Sequence, residues 1–501
     1  MADRALSRRD VLRAGAAAGL AGDAATLDPL RFDTAATAGE ETRAVSGRFE
    51  VGAPDWVYLP VDVPAGVREI TVTYTFDRPE PVPGQPGNGL DIGIFDESGH
   101  ELGNRRGFRG WSGGARDSFS MTASEATPGY LPGPVRAGRW HVILGPYTVH
   151  PEGMDWTVEV TLRFGAPGPR FTPSPAPQRA TGRGRDWYRG DMHLHTVHSD
   201  GQWLPEQAVA GARAAGLDFI TSTEHNTTSA SGIWGHHATD DLLVIDGEEI
   251  TTRNGHFVAA GLRPGTWIDW RYRARDHVID RFVRQVHRDE GIAIAAHPFC
   301  PVLGCRWKFG YERFDAVEVW NGPWTPEDEV ALQQWDALLV EHGRRRGGWL
   351  PAVGNSDSHR EGQVIGLPQT VVLADDLTRA AVLDGVRAGR VYVAESAAVS
   401  LELEASSNGR TAGIGERLDA GAGDPVDVTL TVGGAPGATA VFHTDQGQAA
   451  ERPLPADGRV TWATRPRVST YVRAEVRRAP VVPGLPGPLV AFTNPIFLGD
   501  D

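Results

Sequence analysis

Over residues 41–165 apolar and polar positions alternate with a period of two. Ile70, Val72, Tyr74 and Phe76 are separated by Thr71, Thr73 and Thr75, and Trp156, Val158, Val160, Leu162 and Phe164 by Thr157, Glu159, Thr161 and Arg163. Successive side chains of a strand point to opposite faces, so this pattern predicts strands with one face buried. Turns such as Pro83-Gly84-Gln85-Pro86-Gly87 separate them, and an antiparallel, jelly-roll-like sandwich is expected. The same period returns in residues 396–501, where Val399, Leu401 and Leu403 and then Val426, Val428, Leu430 and Val432 predict a second, smaller sandwich. Between the two the rhythm changes. Residues 204–215 read as a helix stopped by Gly216, and residues 219–223 as a strand. Asp276 is placed to cap a helix that buries Ile279, Phe282, Val283 and Val286 and ends at Gly291, with a strand over 292–296. Thr325-Pro326-Glu327-Asp328 opens a helix with Leu332, Trp335 and Leu339 on its inner face. Strand followed by helix, repeated over 187–395, predicts a parallel, barrel-like α/β domain. Residues 166–186, beginning APGPRFTPSPAPQRATGRGR, are too proline-rich for either pattern and read as a stiff linker.

Composition narrows the function. The chain has 501 residues and a net charge of −15, which argues against nucleic acid and anionic membrane surfaces as partners. No apolar run reaches the length of about 18 residues that a membrane span needs. Residues 1–40 carry an address instead: Arg8-Arg9 precedes a small, apolar run over 14–21, as in a Tat export signal followed by a disordered tail, so an exported protein is expected. Cys300 and Cys305 are the only cysteines, and their spacing leaves a small-loop disulfide and free thiols both open.

Chemistry concentrates in the central segment. DMHLHTVHSDG, from Asp191 to Gly201, holds His193 and His195 at spacing two, which in extended chain sets both imidazoles on one face about 7 Å apart. Four more clusters follow where strands are expected to end: Glu224-His225-Asn226; Asp246-Gly247-Glu248-Glu249 with His256 beyond; His297-Pro298; and Asn355-Ser356-Asp357-Ser358-His359. Carboxyl ends of parallel strands converge on one mouth, and histidines and carboxylates gathered there suit a multinuclear metal site. His198, His236, His237, His277 and His287 fall outside this pattern and are read as non-ligands, while His141 and His150 are expected to be solvated.

The order HxH…D, EH, GxE…GH, HP and SDSH resembles the PHP metallohydrolase family, and within it the branch of carbaryl-hydrolase-like proteins. The resemblance covers residues 187–395 and implies a distorted (βα)₇ barrel holding two or three divalent ions of zinc, manganese or iron. It implies a first ion on His193, His195, Glu249 and Asp357; Glu249 bridging to a second on His256 and His297; and a third on Asp200, His225 and His359. Asp200 stands where many relatives have histidine. The motif register favours Glu249 over Glu248, since alternation lets only one face the mouth. Glu249, Asp357 and His297 are then the catalytic candidates, and Asn226, Arg360 and Lys308 the candidate substrate contacts. The implied activity is hydrolysis of a small-molecule phosphate ester, because such a cluster is net positive and a phosphomonoester is a dianion. The alternatives are a carbamate or carboxylic ester hydrolase with the same metals, and a non-catalytic protein whose sandwiches grip polysaccharide.

Overall fold

The computed structural model describes residues 33–37, 39–80, 87–343, 349–482 and 484–499; the twin-arginine segment and its apolar run lie outside them. Strands dominate, and four α-helices are present among the described residues.

The alternating segment of the first third forms two antiparallel sheets. One runs Asp33–Thr37, Glu40–Phe49, Met154–Phe164, Val67–Phe76, Ser118–Thr122, and the other Val57–Val63, Gly138–Thr148, Gly89–Phe95, Phe108–Gly113. Their inner faces share one core, in which Ile70, Val72, Val158 and Val160 meet Leu59, Val61, Ile92, Ile94 and Val142. His150 is buried there rather than solvated.

The central segment is an arc of strands. Asp186–Asp191, Phe219–Ser222 and Leu243–Thr252 run parallel, as do Ile292–Ala295, Ala316–Asn321 and Ala352–Asn355. The mixed α/β character expected of a distorted (βα)₇ barrel is present, but no closed barrel forms among the described residues. Leu243–Thr252 turns straight back into Gly255–Ala260 as an antiparallel hairpin, and Gln369–Ala374 runs antiparallel to Asp186–Asp191. Only Arg253 and Asn254 separate the first pair, too few for a crossover helix, so the parallel repeat breaks there. The arc still curls: Tyr188, Phe219, Ile245, Val258, Ile294 and Val353 share one apolar cluster. Its ends meet through the lone parallel bridge Leu194–Ser358 and through the Thr370 hydroxyl, which accepts from Gly354 N–H at 3.1 Å and donates to Gly354 O at 2.7 Å.

Helices fall close to expectation, with two corrections. Pro205–Ala214 and Pro326–Gly343 begin on proline, and Leu332, Trp335 and Leu339 are buried. Asp276 does not cap Ile279–Arg288; its carboxylate accepts from Arg273 N–H at 2.7 Å within a short 3₁₀ turn, and Val278 stands at the cap. The left-handed residue that ends this helix is Glu290 (φ 62°), one before Gly291.

Both flanking units are fastened to the arc. Phe108 of the first sandwich stacks on Trp267 at 4.1 Å, and buried Arg271 donates to the Tyr58 hydroxyl at 2.6 Å and to His100 O at 2.8 Å. On the other side Val391–Ala394 pairs antiparallel with Leu489–Thr493, so the arc's sheet runs on into Tyr471–Arg477 and Thr439–Thr444. The sheet Arg410–Gly413, Ser400–Ser407, Val426–Gly433, Arg459–Thr464 packs over that extension, with Leu403, Val428 and Leu430 against Phe442, Val472 and Ala474.

Candidate metal centre

The clusters converge on one end of the arc. His193 and His195 lie just past the strand Asp186–Asp191, and their extended backbone, held by the Leu194–Ser358 bridge, brings their rings to 5.1 Å. His225 lies beyond Phe219–Ser222 and forms a parallel bridge with Glu249. His297 (φ 25°) and Asp357 (φ 48°) sit just after Ile292–Ala295 and Ala352–Asn355, in a left-handed backbone that turns each side chain out of the strand's line.

Glu249 is the hub. Its side chain is fully buried, and its two oxygens face different partners. Oε1 lies 3.0 Å from His256 Nδ1 and 3.1 Å from His297 Nε2; Oε2 lies 3.4 Å from His193 Nε2, 3.6 Å from His195 Nε2 and 2.6 Å from His225 Nδ1. Asp357 Oδ1 is 2.9 Å from His195 Nε2 and 3.3 Å from His193 Nε2. Asp200, its side chain 48% exposed, sits 3.5 Å from His225 Nε2 and 3.4 Å from His359 Nε2. Three sets therefore have ligand atoms within 4.8 Å of one another: His193, His195, Glu249; His193, His297, Asp357; and His195, Asp200, His225, His359. A fourth pairs His256 and His297 with Cys305, but Cys305 is joined to Cys300 in a disulfide and offers no thiolate. Glu248 points to the opposite face, where it accepts from Ile268 N–H at 2.8 Å and burial pushes its carboxyl well above the usual range.

The electrostatics suit a bound cation. Burial would raise the Glu249 and Asp357 carboxyls, but the imidazoles around them hold both well below the usual range. Burial, and then His359 and His225, push His195 down to about 3, so it is neutral and free to ligate. Burial likewise opposes charge on His225, yet Glu249 and Asp200 lift it to about 10, and Asp357 and Glu318 lift His193. Three buried ring nitrogens, His193 Nε2, His195 Nδ1 and His256 Nε2, have no hydrogen-bond partner. Leaving such an atom unpaired costs about 1–3 kcal/mol, and a metal ligand needs that freedom. Imidazole nitrogens with carboxylate oxygens fit zinc, manganese or iron.

Glu318 escaped the sequence reading, and Asp191 and Glu224, named in its clusters, prove to be supports. Glu318 stands 3.2 Å from His193 Nδ1 and accepts from His297 N–H at 3.0 Å and Asn355 Nδ2 at 2.9 Å, so it orients two candidate ligands. Asp191 accepts from Ser356 N–H at 3.1 Å and Gly366 N–H at 2.8 Å, and Glu224 from the Ser199 hydroxyl at 2.6 Å, which fixes the loop before Asp200. The available signal was a lone acid in an apolar strand, as in Ala316-Val317-Glu318-Val319-Trp320. Of the candidate substrate contacts, Asn226 is buried with its amide on Thr251, accepting from the N–H at 2.8 Å and donating to the carbonyl at 3.3 Å. Lys308 and Arg360 are exposed and line neither hollow beside the cluster.

Those hollows share Tyr147, His225 and His256. One, about 490 Å³, opens over His297, Asp357 and His359. The other, about 510 Å³, lies between Asp200 and the first sandwich.

Among known proteins, no family model matches the chain, and no curated protein matches it. Among solved structures it is similar to a two-domain protein from Bacteroides vulgatus described as containing a PHP-like metal-dependent phosphoesterase, at 17% identity over 66% of this chain and 100% of that one, with a TM-score of 0.34. It is also similar to a protein from Bifidobacterium adolescentis described as a metal-dependent phosphoesterase (19% identity, 40% and 93% of the two chains, TM-score 0.26). A third is an amidohydrolase from Chromobacterium violaceum (17% identity, 35% and 89%, TM-score 0.26).

Proposed function

We propose that the protein is a metal-dependent hydrolase of the PHP type, exported by its twin-arginine leader, that cleaves phosphate esters. One observation carries this: Glu249 divides its oxygens, Oε1 toward His256 and His297 and Oε2 toward His193 and His195, the disposition of a carboxylate shared between two cations. His193, His195, Glu249 and Asp357 would hold one ion, Glu249, His256 and His297 a second, and Asp200, His225 and His359 a third. Bound there, divalent ions would acidify a water and polarise the attacked phosphoryl oxygen. The protein's own part is positioning. Glu318 fixes the ring of His193, the left-handed turns at His297 and Asp357 aim both side chains at the hollow, and the carboxylates stay ionised because the imidazoles surround them. Asp357 and His297 also line that hollow, so the ions they would hold lie beside the space a substrate enters.

The test joins metal analysis of the purified full chain to a panel of phosphate, carboxyl and carbamate esters. Two or three ions per chain with turnover of phosphomonoesters supports the proposal. Turnover confined to carbamates or carboxyl esters favours the carbaryl-hydrolase-like alternative. Metal-free protein that hydrolyses nothing after reconstitution refutes both.

A further inference from the structure

The hollow on the sandwich side of the cluster has two unlike walls. One is Asp200, His225 and His256; the other is Trp56, Asp91 and Trp111. Asp91 lies within the strand Gly89–Phe95, opposite Gly145 of the neighbouring strand. A Cβ at position 145 would come within 2.8 Å of the Trp56 ring and 3.3 Å of both Asp91 and Trp111, so only glycine lets the rings and the carboxylate draw together. Among the described residues nothing donates a hydrogen bond to that carboxylate, and burial pushes its carboxyl up to about 7 against the pull of Arg253 and His225. Two buried acids beside the cluster, Asp191 and Glu224, are by contrast each met by donors. An acceptor left open beside aromatic rings, next to a metal centre, is complementary to a donor that arrives with the substrate.

Charge narrows the choice. The Arg253 guanidinium lies 5.1 Å from the Trp56 ring and 4.9 Å from the Tyr147 ring, and its charge repels a cationic group. Asp91 disfavours a second anion. What remains is a neutral group with hydroxyl donors and a flat carbon face. We propose that this hollow is the leaving-group subsite, that it takes a neutral polyhydroxylated ring, and that Asp91 is its specificity-determining residue. The substrate would then be a phosphate ester of a sugar-like alcohol, a conclusion that rests on the phosphoesterase reading above.

The experiment compares metal-loaded wild type, Asp91→Asn and Asp91→Leu on glucose 1-phosphate, phenyl phosphate and phosphocholine. Alongside, saturation-transfer NMR follows free glucose on the same three proteins, and thermal melts check folding. Wild type should prefer glucose 1-phosphate. Asp91→Leu should lower kcat/KM for it by about 30-fold more than for phenyl phosphate, chiefly through KM. Asp91→Asn, whose amide oxygen still accepts, should recover part of that loss, and the glucose signal should vanish in Asp91→Leu. A preference for phosphocholine or phenyl phosphate, an equal loss on all three, or a glucose signal indifferent to Asp91→Leu overturns the proposal. If no phosphate ester is turned over, the phosphoesterase reading falls by itself, and the glucose signal still decides whether the subsite exists.

Discussion

Two regions bury charge in opposite ways. Under the helix Pro326–Gly343, Glu475 accepts from Arg473 and Arg477, each at 2.6 Å; Arg473 also reaches Asp336 at 2.8 Å, and Arg477 reaches Glu329 at 2.9 Å. Every ion has a partner, and Glu475 is held well below the usual carboxylate range even though burial opposes it. At the mouth, by contrast, His193 Nε2, His195 Nδ1 and His256 Nε2 make no hydrogen bond. Both regions are polar and buried, so burial alone does not mark a site. The kind of pairing does: guanidinium–carboxylate pairs brace the fold, and imidazoles gathered round carboxylates offer a cation its donor set.

Substitutions in the two regions should therefore separate activity from stability. The largest effect is expected from Asp357→Asn, which keeps the size of the side chain and suits the left-handed backbone but removes a charge from the cluster. Steady-state kinetics should show kcat down by about 10³-fold, or ~4 kcal/mol at the barrier, with an unchanged melting curve and partial recovery in excess metal. Near-normal turnover and metal content would remove Asp357 from the ligand set. Next comes Glu475→Gln, which leaves Arg473 buried with Asp336 as its remaining anion. Denaturant titration should find about 3 kcal/mol of stability lost, while kcat per folded molecule holds. If activity falls instead, the brace belongs to the site.

A pH titration sharpens the contrast with a smaller effect. In metal-free protein His225 is raised to about 10 by Glu249 and Asp200, so its contribution to stability is complete below about 6.5 and fades as pH climbs toward 10. The Glu475 contribution runs the other way, present above the usual carboxylate value and lost only in acid. Metal must displace the His225 proton, so apparent affinity should rise about tenfold per pH unit for each proton released, and calorimetry in two buffers of different ionisation enthalpy should detect that release. Affinity flat between pH 6 and 9 would exclude His225 as a ligand. The smallest effect belongs to His287→Ala. This half-exposed ring pairs with Asp315 at 2.8 Å on a helix outside both regions, and stability and kcat should move by no more than about 0.5 kcal/mol.

Short-range pattern was what the sequence carried well. Period-two alternation marked Val67–Phe76, Met154–Phe164 and Val426–Gly433, and proline marked the start of the helix Pro326–Gly343. All nine candidate ligands, read from five local clusters, come together in space. Long-range facts were not legible. That Leu243–Thr252 would fold back on Gly255–Ala260 and break the parallel repeat depends on the two-residue turn Arg253-Asn254 closed by Gly255 (φ 115°), whose Asn-Gly signal sat inside a stretch read for its ligands. Glu318 looked like a stray acid in an apolar strand because its partner His193 is 125 residues away. Asp91 and Tyr147, in the sandwich, have nothing in their local sequence that points to a metal centre.

The strand that leads into Asp357 has a late-arriving clasp. Asn494 donates to Ala352 O and accepts from Ala352 N–H, each at 2.9 Å, across 142 residues, and its amide also reaches Val391 O at 3.0 Å. During synthesis the histidines and carboxylates of the mouth therefore emerge well before the residue that pins Ala352–Asn355 in register. A nascent chain arrested near residue 400 would carry all the candidate ligands without that clasp, and the cluster would be completed only after the second sandwich had been made.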